Sequence, residues 1–206
     1  MITEHVHISR QNTKLGAYIP SVNMPPVQTC RADAPCVNLC YARKGRFRFP
    51  NVKNKAETNL QIWQESPSLF EAEICIAAYH TRFFRWHSSG DIPDERYFEM
   101  MVKVANMLST TKFLCFTKKY ELVNQYLSSG TSIPDNLTIV FSAWGDFVPH
   151  NPFHLPVAYV QFSNSQNDPR IPPDAKPCQN YCGECVMSGC SCWDLKTGES
   201  VVFKEH

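Results

Sequence analysis

Eight of the ten cysteines in this chain fall in two short stretches, and that clustering limits what the two ends can fold into. The first stretch is Cys30-x5-Cys36-x3-Cys40, followed by Tyr41 and Ala42. The second is Cys178-x3-Cys182-x2-Cys185-x4-Cys190-x-Cys192, followed by Trp193. Cys75 and Cys115 stand apart, in a helical and a strand-like apolar run, where a thiol serves as a small core side chain. Met1 to Asn12 is polar and carries histidines. It lacks the basic and apolar regions of a secretory signal, so the thiols are expected to stay reduced. Reduced, clustered thiols point to metal binding rather than to a disulfide framework.

Thiolates are soft ligands that suit zinc, copper(I) and iron–sulfur clusters. The expected metal ligands are Cys30, Cys36, Cys40, Cys178, Cys182, Cys185, Cys190 and Cys192, enough for two four-thiolate centres. Cys190 and Cys192 are one residue apart, so both on one metal would be strained, and the choice between them stays open. The spacings are untypical of zinc ribbons, which prefer two Cys-x2-Cys halves. The expected cofactor is therefore one or two [4Fe–4S] clusters, with a structural zinc as the alternative.

Composition narrows the rest. With 20 Lys+Arg against 19 Asp+Glu, the net charge is +1, which argues against broad electrostatic binding of nucleic acid. A local patch remains in Arg43, Lys44, Arg46 and Arg48, interleaved with Phe47 and Phe49. That composition holds a phosphate backbone and stacks a base, or else forms an exposed loop beside an anionic cluster. At 206 residues and 43% hydrophobic, the chain is expected to form a single domain over 1–206. Its parts are a Cys-containing segment 1–50, a β/α core 51–165 and a Cys-rich tail 166–206. No apolar run approaches the ~20 residues of a membrane span.

The middle alternates strand and helix. Strands are predicted at 82–87, 112–117, 137–141 and 157–162, and helices at 54–64, 67–80, from Pro93 to Leu108, and 121–127. Pro25-Pro26 reads as extended or loop. Residues 163–177, rich in Pro, Asn, Asp and Ser, read as a linker into the tail, which closes with a strand at 200–204. The expected fold is α/β, a parallel sheet resembling a partial (β/α) barrel, with a Cys-rich loop and tail at its ends. Three successive strand ends carry polar groups: His87 to Asp91, Thr117-Lys118-Lys119, and Ser142 to Asp146. Active sites of β/α folds collect there, so the catalytic candidates are His87, Ser89, Asp91 and Lys118. The bland readings are a capped histidine and a solvated helix start.

Two resemblances add to this. Cys36-x3-Cys40-Tyr41 resembles the cluster loop of radical S-adenosylmethionine enzymes with its aromatic residue, but Arg43 stands where the third cysteine belongs. Cys30 would then supply a third ligand, and a tail cysteine a fourth. Cys178-x3-Cys182-x2-Cys185 has that family's spacing but lies at the opposite end of the chain. Ser89-Gly90-Asp91 is similar to the Gly-Gly-Glu segment that contacts S-adenosylmethionine. The resemblance implies Tyr41, Ser89, Gly90 and Asp91 as cofactor-binding residues; the same triplet also makes a helix N-cap turn.

Several segments in order resemble the gene product 88 family of phage and prophage proteins. They are Ile19-Pro-Ser-Val-Asn-Met-Pro-Pro26, Thr29-Cys30, Pro35-Cys36, Cys40-Tyr-Ala-Arg-Lys44, Arg85-Trp-His-Ser-Ser-Gly-Asp91, Lys112-Phe-Leu-Cys-Phe-Thr-Lys118, and the tail from Cys182-Gly-Glu-Cys185 to Cys192-Trp193. The resemblance implies a phage origin, cysteine-rich ends and residence in the host cytoplasm, but no reaction. Two function classes follow. One is an iron–sulfur enzyme acting on a small molecule or a nucleic acid. The other is a zinc- or cluster-stapled protein that binds nucleic acid or another protein.

Overall fold

The computed structural model describes residues 5–10, 12–164, 168–189 and 191–205. Eight strands form one mixed sheet: β1 (Ile8–Ser9), β2 (Ser21–Val22), β3 (Phe83–Trp86), β4 (Lys112–Thr117), β5 (Leu137–Ser142), β6 (Val157–Gln161), β7 (Lys176–Pro177) and β8 (Ser200–Lys204). Their order is β1-β2-β3-β4-β5-β6-β8-β7. Only the β1–β2 pair is antiparallel; the other six pairings are parallel. Among the described residues no pairing joins β1 to β7, so the sheet is open at both edges.

Six α-helices connect the strands: α1 (Cys36–Leu39), α2 (Pro50–Glu65), α3 (Pro67–Tyr79), α4 (Glu95–Met107), α5 (Tyr120–Ser128) and α6 (Cys182–Ser188). None is long and apolar enough to cross a membrane. Proline sits in the first turn of both α2 and α3, where its missing N–H costs nothing. That signal sets the start of α2 at Pro50, four residues before the apolar periodicity begins. Asp94 caps α4: its Oδ1 accepts from the Tyr97 amide at 2.9 Å while Oδ2 accepts from Trp63 Nε1 at 2.8 Å. One carboxylate thus starts α4 and holds α2 against it.

Alternation along the strands builds two cores. Phe84, Trp86, Phe113, Cys115, Ile139 and Phe141 face the helices and join Trp63, Phe70, Tyr97 and Phe98. Phe83, Leu114, Val140, Ala158 and Val201 face the other way. Trp193 and Leu195 from the tail, with Leu15 and Ile19 from the N-terminal segment, cover this second face. Residues 15–19 and the tail therefore share one side of the sheet, while Val6 packs on the other, in the helix-side core. Pro25-Pro26 lies in a loop as expected, and the N-terminal segment before it supplies β1 and β2. The predicted linker holds β7 just before the tail.

Candidate functional site

β2, β3 and β4 run parallel, so their carboxyl ends share one edge, where α/β folds gather chemistry. The segments leaving these ends are tied together. Asn23 Oδ1, after β2, accepts from the amides of Ser88 at 2.8 Å and Ser89 at 3.2 Å, after β3. Ser89 Oγ donates to the Met24 carbonyl at 3.2 Å. Gly90 has φ +75°, and a β-carbon there would sit 2.5 Å from the Met24 carbonyl oxygen. Only glycine permits that approach.

Asp91 is the knot of this edge. It is buried, and its Oδ1 accepts from Thr117 Oγ1 at 2.6 Å and the Ile92 amide at 2.8 Å. Its Oδ2 accepts from the Lys118 amide at 2.9 Å. The Asp91 amide donates to Thr29 Oγ1 at 3.0 Å, one residue before Cys30. One side chain thus joins the ends of β3 and β4, and its backbone anchors the cysteine loop. Burial pushes the Asp91 carboxyl upward, and the three hydrogen bonds pull it back.

Cys30, Cys36 and Cys40 lie in one neighbourhood beside this knot. All three are half-buried, and each lies within electrostatic reach of the others. Cys36 opens α1 and Cys40 follows its end. The Tyr41 ring is half exposed, and its hydroxyl donates to the Ser88 carbonyl at 2.5 Å, pinning the loop to the end of β3. Burial pushes the Cys30 thiol up to about 11, and Asp91 and the neighbouring thiols add to that. Cys36 is also pushed up by burial, with Lys118 opposing. A metal bound there would have to displace the protons of these thiols.

The tail thiols gather separately. Cys178, Cys182, Cys185 and Cys192 are within electrostatic reach of one another. The Cys178 amide donates to the Val202 carbonyl at 2.9 Å, and the Cys182 amide to the Lys14 carbonyl at 2.8 Å. Cys192 opens a short 3-10 turn with Trp193 and Asp194. Burial pushes Cys192 up to about 12, with Arg85 opposing. Cys178, Cys182 and Cys192 pack against the second core beside Phe116 and Phe203. Cys190 lies outside the described residues. Among the described residues no three His, Cys, Asp or Glu side chains converge as a ready metal-holding group.

Of the catalytic candidates, the structure brings Asp91 and Lys118 to the first thiol group. Lys118 is half-buried near Cys36 and carries its ammonium 6.0 Å from the Trp144 ring centroid. Ser89 and Gly90 line the same turn, but both are spent on contacts with Met24. His87 is not brought there. It turns to the helix side, with Nε2 3.1 Å from the Tyr97 hydroxyl and Nδ1 3.8 Å from Cys115 Sγ. Burial, with Arg85 adding, drops its pKa to about 3, so it stays neutral. A non-glycine residue at φ +55° ends β3 there and redirects the chain.

Three site residues, Asn23, Thr29 and Arg85, stand in the segments that carry the family resemblance, but the sequence assigned them no role. Asn23 and Thr29 are ordinary loop residues whose importance is purely spatial. Arg85 carried a signal, as a lone charge inside the apolar strand Phe83–Trp86. Its Nε donates to the Trp86 carbonyl at 3.0 Å, and its guanidinium lies 4.2 Å from the Phe116 ring centroid. It is within electrostatic reach of Tyr41 on one side and of Cys182 and Cys192 on the other.

A family model described as "Gene product 88" matches residues 3–181. The chain belongs to the gene product 88 family. The match takes in Cys30, Cys36, Cys40 and Cys178, with the whole of the strand-end knot, and stops before Cys182, Cys185, Cys190 and Cys192. The tail segment of the resemblance thus lies outside it. No curated protein and no solved structure matches the chain.

Proposed function

We propose that this gene product 88 family member is a phage-type iron–sulfur protein with two thiolate centres of different purpose. The observation that carries the reading is that Cys30, Cys36 and Cys40 lie within electrostatic reach of one another near the ends of three parallel strands, their loop tethered through Thr29 to the buried Asp91. Three thiols leave a centre one ligand short, whereas the four described tail thiols suffice for a closed one. The first centre is then the working one, and the tail centre staples the chain end over the second core.

The donor chemistry fits a cluster, since all seven described thiols of the two groups are soft ligands. A cluster held by three cysteines supplies an iron with an open position, a Lewis acid and an electron carrier. The chain's own residues do the rest. Asp91 fixes the loop that carries Cys30. Lys118 offsets negative charge beside Cys36. Tyr41 closes the side next to β3. Arg85 offsets negative charge at the tail thiols Cys182 and Cys192. The partial-barrel curvature and S-adenosylmethionine as ligand of the open position belong to this reading, and both derive from the radical-enzyme resemblance.

Paired substitutions separate the two roles. Cys36→Ser is expected to remove the iron of the first centre and leave the melting temperature within a few degrees. Cys182→Ser is expected to lower it by roughly 10 °C or more, as loss of a structural metal does. Equal unfolding by both would make the first centre a staple too and overturn the reading. S-adenosylmethionine at about 100 times its Kd is expected to stabilise the loaded protein by about 2.7 kcal/mol. No shift would remove that cofactor and leave the two-centre reading standing.

A further inference from the structure

We infer that the loop from Tyr41 to Phe49 and the start of α2 form a binding surface for single-stranded nucleic acid beside the first thiol group. The inference takes from the reading above only the meaning of that neighbourhood; the binding itself stands on separate residues. Between Asp33 and Glu57 the chain has Arg43, Lys44, Arg46, Arg48, Lys53 and Lys55 and not one acidic residue. In a protein of net charge +1 this is a concentrated positive field. All six side chains are exposed. Among the described residues none of the six enters an ion pair. The first turn of α2 adds the positive end of a 16-residue helix, without an acidic residue or side-chain cap to offset it.

Aromatic rings decide the kind of polyanion. Phe49 is 56% and Tyr41 52% exposed, so both rings present a face to solvent. Phe47 stands edge-to-face against Tyr41 at 5.7 Å, which holds that pair in place. Cations alternating with rings match a strand whose phosphates and unstacked bases are both accessible. A duplex hides its base faces, and an acidic peptide has none to stack. Because Tyr41 is bonded to Ser88, a strand bound here would pass the mouth of the first thiol group.

The test is fluorescence anisotropy of the full chain with a labelled oligothymidylate of about 20 nucleotides. With four phosphate contacts, affinity is expected to fall roughly 50-fold between about 50 and 200 mM salt. The double variant Arg46→Ala, Arg48→Ala is expected to weaken binding at least tenfold at low salt and to flatten that salt slope. Phe49→Ala is expected to weaken binding roughly fivefold or more at both salts, with the slope unchanged. Absence of binding at low salt, or binding that survives both variants, would overturn the inference. So would equal binding of heparin or duplex with no effect of Phe49→Ala, which marks an unselective polyanion surface. Metal content measured on the same samples keeps the questions apart. Binding by a protein without iron would sink the cluster reading and leave this one intact.

Discussion

Two buried titratable residues at the end of β3 behave in opposite ways. His87 has its pKa driven from 6.5 to about 3 by burial, so its folded form binds a proton less readily than its unfolded form. Its contribution is complete above pH 6.5 and is lost as pH falls from there toward 3. Asp91 is raised above its ordinary 3.8, so its contribution is greatest below that value and declines as pH rises through the folded pKa. Denaturation midpoints followed from pH 7 downward test this. His87→Asn, which suits the left-handed backbone, is expected to flatten the loss below pH 6.5. Asp91→Asn keeps the size but leaves the Lys118 amide facing an NH2 group or else breaks the bond to Thr117. Its expected cost is about 1–3 kcal/mol, the penalty for one unsatisfied buried donor. A cost below ~0.5 kcal/mol would show that Asp91 does not hold the strand ends together.

At the scale of elements, β8 pairs the tail's end to β6, and Trp193 ties its Cys192 turn to the sheet's second face. Trp193 is buried, its Nε1–H donates to the Phe84 carbonyl at 3.1 Å, and its carbonyl accepts from Thr138 Oγ1 at 2.8 Å. Asp194 pairs with Lys112 at the start of β4. Trp193→Ala is expected to cost about 3–5 kcal/mol and to release the tail, so that thiol reagents modify Cys182 and Cys192 much faster. Unchanged reactivity at those two thiols would contradict this. The same elements show what was legible beforehand. β4 and β8 read correctly to the residue because long apolar or alternating runs leave one interpretation. β1, β2 and β7 are two residues each, too short for any periodicity, and exist only because a neighbouring strand offers a ladder. The turning of His87 away from the site was equally hidden, because it depends on one backbone angle. Asp91 and Lys118 were legible as strand-end residues, but their knot to Thr29 was not.

For the whole molecule, the chain brings its N-terminal cysteine loop and its tail to one sheet, with Arg85 within reach of Tyr41 on one side and of the tail thiols Cys182 and Cys192 on the other. The parallel strands supply the common edge, the helices cover one face, and the tail covers the other. That arrangement separates a three-thiol group at the strand ends from a four-thiol group against the second core. The most direct test is iron, zinc and acid-labile sulfide in anaerobically purified protein, read with electron paramagnetic resonance before and after reduction. The expected result is about eight irons with matching sulfide, or about four if only one centre survives purification. Cys36→Ser should remove one cluster signal and leave the other. A colourless protein with stoichiometric zinc, no sulfide and no gain on cluster reconstitution would contradict the account and make the cysteines staples.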